Sequence, residues 1–179
     1  MRWRDAEGQV CSVARSLAVV GERWTLLILR EAFAGLRRFE DLQAHLGIAR
    51  NVLAARLQGL VDRGVFERIS YQTSPERFEY RLTAKGLELY PVLVALMRWG
   101  DRWLDQGEGA PIVLVHKDCG QEALATLTCS HCGKPVDART MRAVLGAPLR
   151  RRADTERAKA AAPAARPQRA RRGPPAGKG

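Results

Sequence analysis

Residues 39–82 constrain this chain more than any other segment, because the apolar spacing changes period partway along them. Phe39, Leu42 and Leu46 recur at helical spacing, and Gly47 follows the last of them as a C-terminal cap. After a three-residue connection, Leu53, Leu57 and Leu60 mark one face of a second helix over residues 50–63, with Gly64 as its stop. The opposite face carries Asn51, Ala54, Ala55, Gln58 and Asp62. Two consecutive helices around a tight glycine turn, the second apolar inside and small or polar outside, read as a helix-turn-helix. Residues 65–71 and 78–82 then have strand composition around a turn-forming stretch at 72–77, and a β-hairpin directly after such a helix is a wing.

Helical spacing also predicts a helix over residues 11–20, interrupted by Gly21, and a second over 22–33 that is apolar on nearly every side. The second should be the central buried helix. From 84 to about 104 the helical pattern returns, with Pro91 expected to kink it or to begin a new helix. Its broad stripe, including Leu93, Leu96, Met97, Trp99 and Trp103, exceeds what the small domain beneath it can cover, so part of it is expected to meet a second subunit. The alternative is that the stripe is entirely internal core. The fold class is therefore mainly α with a small β-hairpin wing, a winged helix-turn-helix over residues 1–106.

Composition bounds the rest. An apolar fraction of 46% fits a chain that buries a core, and the longest apolar runs are far below the roughly 20 residues of a membrane span. Four cysteines are too few to staple a fold of 179 residues, and the first residues lack the apolar stretch of an export signal, so a reducing cytoplasm is the expected location. The net charge of +11 is uneven: residues 148–179 hold ten Lys and Arg against two Asp and Glu. That segment is Ala, Pro, Arg and Gly with few large apolar side chains, and is expected to be a disordered basic tail. It would attract phosphate with steep salt dependence, or serve only to solubilise.

Reading a major groove about 12 Å wide takes a thin helix face with donors aimed at base edges. Arg50 and Asn51 stand at the first turn of the 50–63 helix and Gln58 two turns on. Arg suits guanine, and Asn and Gln suit adenine. Ala54 and Ala55 keep the face thin. A merely solvated face is the plainer alternative. Arg56 lies toward the flank and suits either a phosphate or an internal ion pair. Arg77 at the wing tip suits the DNA backbone or minor groove, or else pairs with Glu76 or Glu79. A dimer presenting two such helices implies an inverted-repeat site.

Residues 107–147 have a different character. His116-Lys-Asp-Cys119-Gly120 and Cys129-Ser-His-Cys132-Gly133 are two knuckles of one shape, and tetrahedral zinc wants four N or S ligands delivered as two close pairs. His116, Cys119, Cys129 and Cys132 are thus candidate ligands of a structural zinc ion in a small zinc-ribbon-like C-terminal module, with His131 a rival ligand. The alternative is a metal-free hairpin of buried or redox-active thiols. A short helix over 137–145 is expected to follow. No nucleophile elbow, phosphate-binding glycine loop or open metal site with a base is present, which argues against an enzyme. His45 stands alone and reads as surface. Cys11 lies near the start of the first helix with Arg15 one turn away; both features lower a thiol pKa, although a small buried apolar role is the competing reading.

Several stretches together carry a family likeness. Cys11 followed by Val20-Gly-Glu-Arg-Trp24, the run Leu26-Leu-Ile-Leu-Arg30, Arg38-Phe-Glu-Asp-Leu42, Leu60-Val-Asp-Arg-Gly64, and Pro75-Glu-Arg-Phe-Glu-Tyr-Arg-Leu-Thr-Ala-Lys-Gly86, with Leu89, Pro91 and Trp99-Gly100 after it, resemble the HxlR-type winged-helix transcriptional regulators, distant relatives of the MarR group. Ser12 departs from the family's proline after the cysteine, and Phe78 from its common valine. The resemblance implies a bacterial, cytoplasmic homodimer that binds double-stranded DNA and represses or activates genes in response to a small molecule or an oxidant, in some relatives through a cysteine near Cys11. The expected function is a repressor of this kind. A second reading is a winged-helix module for protein contacts, with a tail that binds nucleic acid non-specifically.

Overall fold

A computed structural model of the protein describes residues 10–161. In chain order it contains α1 (Ser12–Val20), α2 (Arg23–Phe33), α3 (Phe39–Leu46), α4 (Arg50–Asp62), β1 (Phe66–Thr73), β2 (Glu76–Leu82), α5 (Ala84–Leu87), α6 (Tyr90–Trp103) and α7 (Ala147–Ala161). The chain divides into two compact units, the first ending at Thr140 and the second beginning at Met141.

Glycines set the helix boundaries of the first unit. Gly21 donates its N–H to the Leu17 carbonyl, and a Cβ there would stand 2.4 Å from that oxygen, so only glycine permits the sharp turn from α1 to α2. Gly47 ends α3 in the left-handed conformation, at φ 60°, with its N–H bonded to the Gln43 carbonyl. Glu40 and Asp41 in the first turn of α3 favour its positive end. Around these turns the core assembles from Val20, Ile28, Leu29, Leu42, Ile48, Leu53, Leu57, Leu60, Val65 and Phe66, so all four leading helices and the root of the hairpin share one apolar centre.

β1 and β2 pair antiparallel, from Phe66 opposite Leu82 to Thr73 opposite Glu76, with a bulge between Ser70 and Gln72. Because the strands extend further than expected, the connection is only Ser74 and Pro75, joined by a cis peptide bond. Arg38 forms an isolated antiparallel bridge to Glu79, and the Tyr80 N–H donates to the Arg37 carbonyl at 2.8 Å. The loop before α3 thereby adds a short third edge to the wing. Thr83 ties its base: the hydroxyl caps α5 by accepting from the Gly86 N–H and donates to the Gly64 carbonyl at 2.7 Å.

Pro91 begins a new helix rather than kinking an old one. It occupies the first turn of α6, where its missing N–H costs nothing, and Leu89 is the cap residue after the short α5. α6 meets the core through Val94 and through the Phe33–Tyr90 ring pair, whose centroids are 4.9 Å apart. Beyond it, residues 107–140 form turns and two isolated bridges.

Two expectations about the C-terminal third are corrected. Residues 137–145 form no helix: the Asp137 side chain accepts from the N–H groups of Arg139 and Thr140 and turns the chain back on itself. The expected disordered tail from Pro148 is instead helical through Ala161. Ala, Arg, Glu and Lys are strong helix formers, and a proline in the first turn is tolerated, so α7 forms from local preference without an apolar face. The remainder of that tail, residues 162–179, lies outside the described residues. No helix among the described residues is long and apolar enough to cross a membrane.

Candidate nucleic-acid interface

α4 divides cleanly. Leu53 and Leu57 are fully buried and Leu60 nearly so, and their burial fixes the rotation of the helix about its axis. What that rotation leaves outside is Arg50, Asn51, Ala54, Ala55 and Gln58, all exposed. The small side chains of Ala54 and Ala55 leave the middle of this face low between polar groups. Arg50 stacks its guanidinium over the Phe39 ring at 4.8 Å, which holds it at the junction of α3 and α4. Gln58 spends its amide on the helix itself, donating to Asp62 at 2.7 Å. Asn51, next to Arg50, is exposed, and beyond its bond to Asp62 the Gln58 amide keeps a second N–H and its carbonyl.

Arg56 is the candidate expected to meet either a phosphate or an internal ion pair. Its guanidinium pairs with Glu22 at 3.0 Å, tying α4 to the start of α2, and its Nε is buried without a hydrogen-bond partner among the described residues. Of its two expected roles the structure places it in the internal ion pair. Arg77 remains exposed near the wing tip opposite Gln72, and the carboxylate of Glu79 is engaged by Arg81 instead.

Three further cations gather on the wing and the loop that pairs with it. Arg38 lies over the Tyr71 ring at 4.6 Å, Arg68 over the Phe78 ring at 3.8 Å, and Arg37 is exposed where its carbonyl anchors β2. Only Arg68 lies on the wing, where its position two residues after Phe66 and three before Tyr71 was the available signal; Arg37 and Arg38 lie in the loop before α3. Tyr80, half-buried between them, has its phenol pushed above its ordinary pKa by burial.

His45 also needs correction, since it is not without a partner. Its Nδ1 lies 2.9 Å from Oε2 of Glu31, a carboxylate only 5% exposed whose other oxygen accepts from Arg30. This polar link joins α2 to α3, the first helix of the helix-turn-helix.

The remaining candidate residues fall in three places. Cys11 is exposed at the N-cap of α1, not buried, and Arg15 points to the Ser12 hydroxyl. On α6, Leu96, Trp99 and Trp103 are exposed while Leu93 and Met97 are half-covered, so the stripe is not internal core of this chain. In the Cys/His-rich segment each knuckle is formed. Cys119 Sγ lies 3.4 Å from His116 Nδ1, and the Cys129 thiol is held below its ordinary pKa by the backbone N–H groups of His131 and Cys132 and by the Cys132 side chain. Among the described residues, no three His, Cys, Asp or Glu side chains converge on one point.

Known proteins share this arrangement. The model of the HxlR-like helix-turn-helix family matches residues 19–108. The uncharacterized HTH-type transcriptional regulator Rv3095 of Mycobacterium tuberculosis is 53% identical over 130 residues, covering 73% of this chain and 82% of the relative. A 130-residue likeness cannot be held within residues 1–108, so it runs into the Cys/His-rich segment. The uncharacterized HTH-type transcriptional regulator sll1512 of Synechocystis is 38% identical over 100 residues, covering 55% and 74% of the two chains. Among solved structures, PA1607, a candidate transcription factor, is similar with TM-score 0.70 and 39% identity over 78% of this chain and 98% of its own. The redox regulator HypR in its reduced form is similar with TM-score 0.50 and 27% identity over 53% and 95% of the two chains. These relatives carry the names of transcriptional regulators rather than of enzymes, and by the match across its helix-turn-helix and wing this chain belongs to the HxlR-like helix-turn-helix family.

Proposed function

We propose that this protein is a cytoplasmic, homodimeric transcriptional repressor that binds an inverted-repeat operator and leaves it in response to a small molecule or to oxidation of Cys11. The observation that carries the reading is the exposed face of α4, where Arg50 and Asn51 flank the small residues Ala54 and Ala55 while the leucines behind them fix the helix against the core. Arg50, Asn51 and Gln58 read base edges, and Arg77 on the wing holds phosphate. The exposed stripe of α6 supplies the surface for a second copy, which is what places two α4 helices on successive turns of one duplex. Lys and Arg of the C-terminal tail add attraction to phosphate that is indifferent to sequence.

Support for the response comes from Cys11, exposed at a helix N-cap, and from the likeness to HypR, a redox regulator by name. With hydrogen peroxide as oxidant, the Cys11 thiolate takes one oxygen as the O–O bond breaks, giving a sulfenate and water.

The test is fluorescence anisotropy with duplex from the region upstream of the protein's own gene, in excess non-specific competitor. Saturable, competitor-resistant binding is expected, with Arg50→Ala losing about 1–3 kcal/mol and relaxing base preference at one position of each half-site. Binding abolished by competitor, or equal operator affinity of Arg50→Ala and the unchanged protein, overturns the reading and leaves the protein-contact module in its place.

A further inference from the structure

The two knuckles of residues 107–140 are copies of one another in backbone as well as sequence. The His116 N–H donates to the Gln121 carbonyl at 2.9 Å, the Gly120 N–H to His116 at 2.8 Å and the Ala123 N–H to Leu114 at 2.8 Å. Thirteen residues later the same set recurs: Cys129 to Lys134 at 2.8 Å, Gly133 to Cys129 at 2.8 Å and Val136 to Leu127 at 2.9 Å. The bridges Val115–Glu122 and Thr128–Pro135 obey the same offset, and Gly120 and Gly133 hold the left-handed conformation at φ 69° and 68°. His116 therefore corresponds to Cys129 and Cys119 to Cys132. Each small hairpin brings two soft donors to one side of a tight turn.

Nothing else in the segment accounts for this duplication. Its large apolar side chains face outward: Ile112, Val113, Val115, Leu124 and Leu127 are all more than half exposed. All four cysteines of the chain are free, so no disulfide braces it. A segment this short with no core of its own needs a staple, and the side chains that both hairpins present in common are N and S donors.

We propose that His116, Cys119, Cys129 and Cys132 together bind one structural Zn2+, each hairpin acting as a preformed two-donor clip. The pairs stand apart before binding, and the ion draws them into one tetrahedral shell. On binding, three thiol protons leave to solvent and the imidazole of His116 coordinates as the neutral ring. Few buried contacts oppose this movement. The closed module then packs beside α6: Leu127 and Val136 line an open cleft of about 340 Å³ with Trp99 and Trp103, and Arg98 already donates to the Ala125 carbonyl. The ion thereby braces the flank of the helix whose exposed stripe serves as the surface for a second copy.

The full chain, purified without oxidant, is to be assayed by elemental analysis and then, after chelation, by titration with Co2+, whose tetrahedral thiolate complex absorbs in the visible. About one zinc per chain is expected, with Cys119→Ser, Cys129→Ser and Cys132→Ser each losing at least about tenfold in affinity. His116→Ala should lose metal and His116→Cys should keep it, which separates ligation from a failure to fold. Cys11→Ser and His131→Ala should both keep it. A chain that takes up neither Zn2+ nor Co2+ overturns the proposal, as does Cys129→Ser retaining full affinity. So does a Cys129–Cys132 disulfide in the anaerobically purified protein, and loss of metal by His131→Ala with retention by His116→Ala removes His116 from the shell.

Discussion

Glu31 carries a carboxylate where the fold leaves it almost no water. Its oxygens are satisfied by Arg30 and His45, both largely exposed, so the buried member of the trio depends on partners reached from the surface. The costs of removing them are therefore unequal. Glu31→Ala, which strips the shared acceptor from a packed position, is expected to destabilise by about 1–3 kcal/mol. His45→Ala removes an exposed partner and should cost less than about 1 kcal/mol in the same urea titration. Sequence could not reveal this pairing, because fourteen positions and a helix boundary separate the two residues. Arg56 illustrates the same limit. Its flank position on α4 was legible, but Glu22 as its partner was not, since that contact exists only once α2 and α4 pack. Gly86 shows the opposite case, a residue named only as part of a motif whose reason is steric. A Cβ there would lie 2.3 Å from the Val65 carbonyl, so Gly86→Ala should cost about 1–3 kcal/mol, read as a lowered denaturation midpoint.

At the scale of elements, period was the reliable signal. The leucine spacing of α4 and the Gly47 turn translated into the expected elements because burial on one side fixes them locally, whereas β2 formed with Phe78, Glu79 and Tyr80 all half-covered. Where burial is absent the signal failed in both directions. Residues 137–145 looked helical but were turned by the Asp137 side chain, whereas α7 formed from Ala and Arg preference without any apolar stripe. The bridge from Arg38 to β2 was invisible because a single residue pair leaves no pattern. The division of labour between α4 and the wing is open to measurement. Arg77→Ala should weaken binding to all sequences alike and reduce the slope of log affinity against log salt by about 1, while Arg50→Ala discriminates among sequences. A stabilising role only for Arg77 would leave that slope untouched.

For the whole molecule, the proposed dimer makes the exposed face of α6 the critical surface. A double substitution Leu96→Asp and Trp99→Asp should yield monomers in sedimentation velocity while keeping the far-ultraviolet circular dichroism of the folded chain, because neither residue belongs to the core. Removing residues 147–179 takes away ten of the 30 Lys and Arg, and should flatten the salt dependence of DNA binding without changing the preferred site. The short edge from Arg37 and Arg38 to β2 has a wider consequence. It ties the wing to the loop before α3 within one protomer, like the jaws of a caliper held at one setting. In the proposed dimer the inducing signal then acts on the distance from one protomer's caliper to the other's.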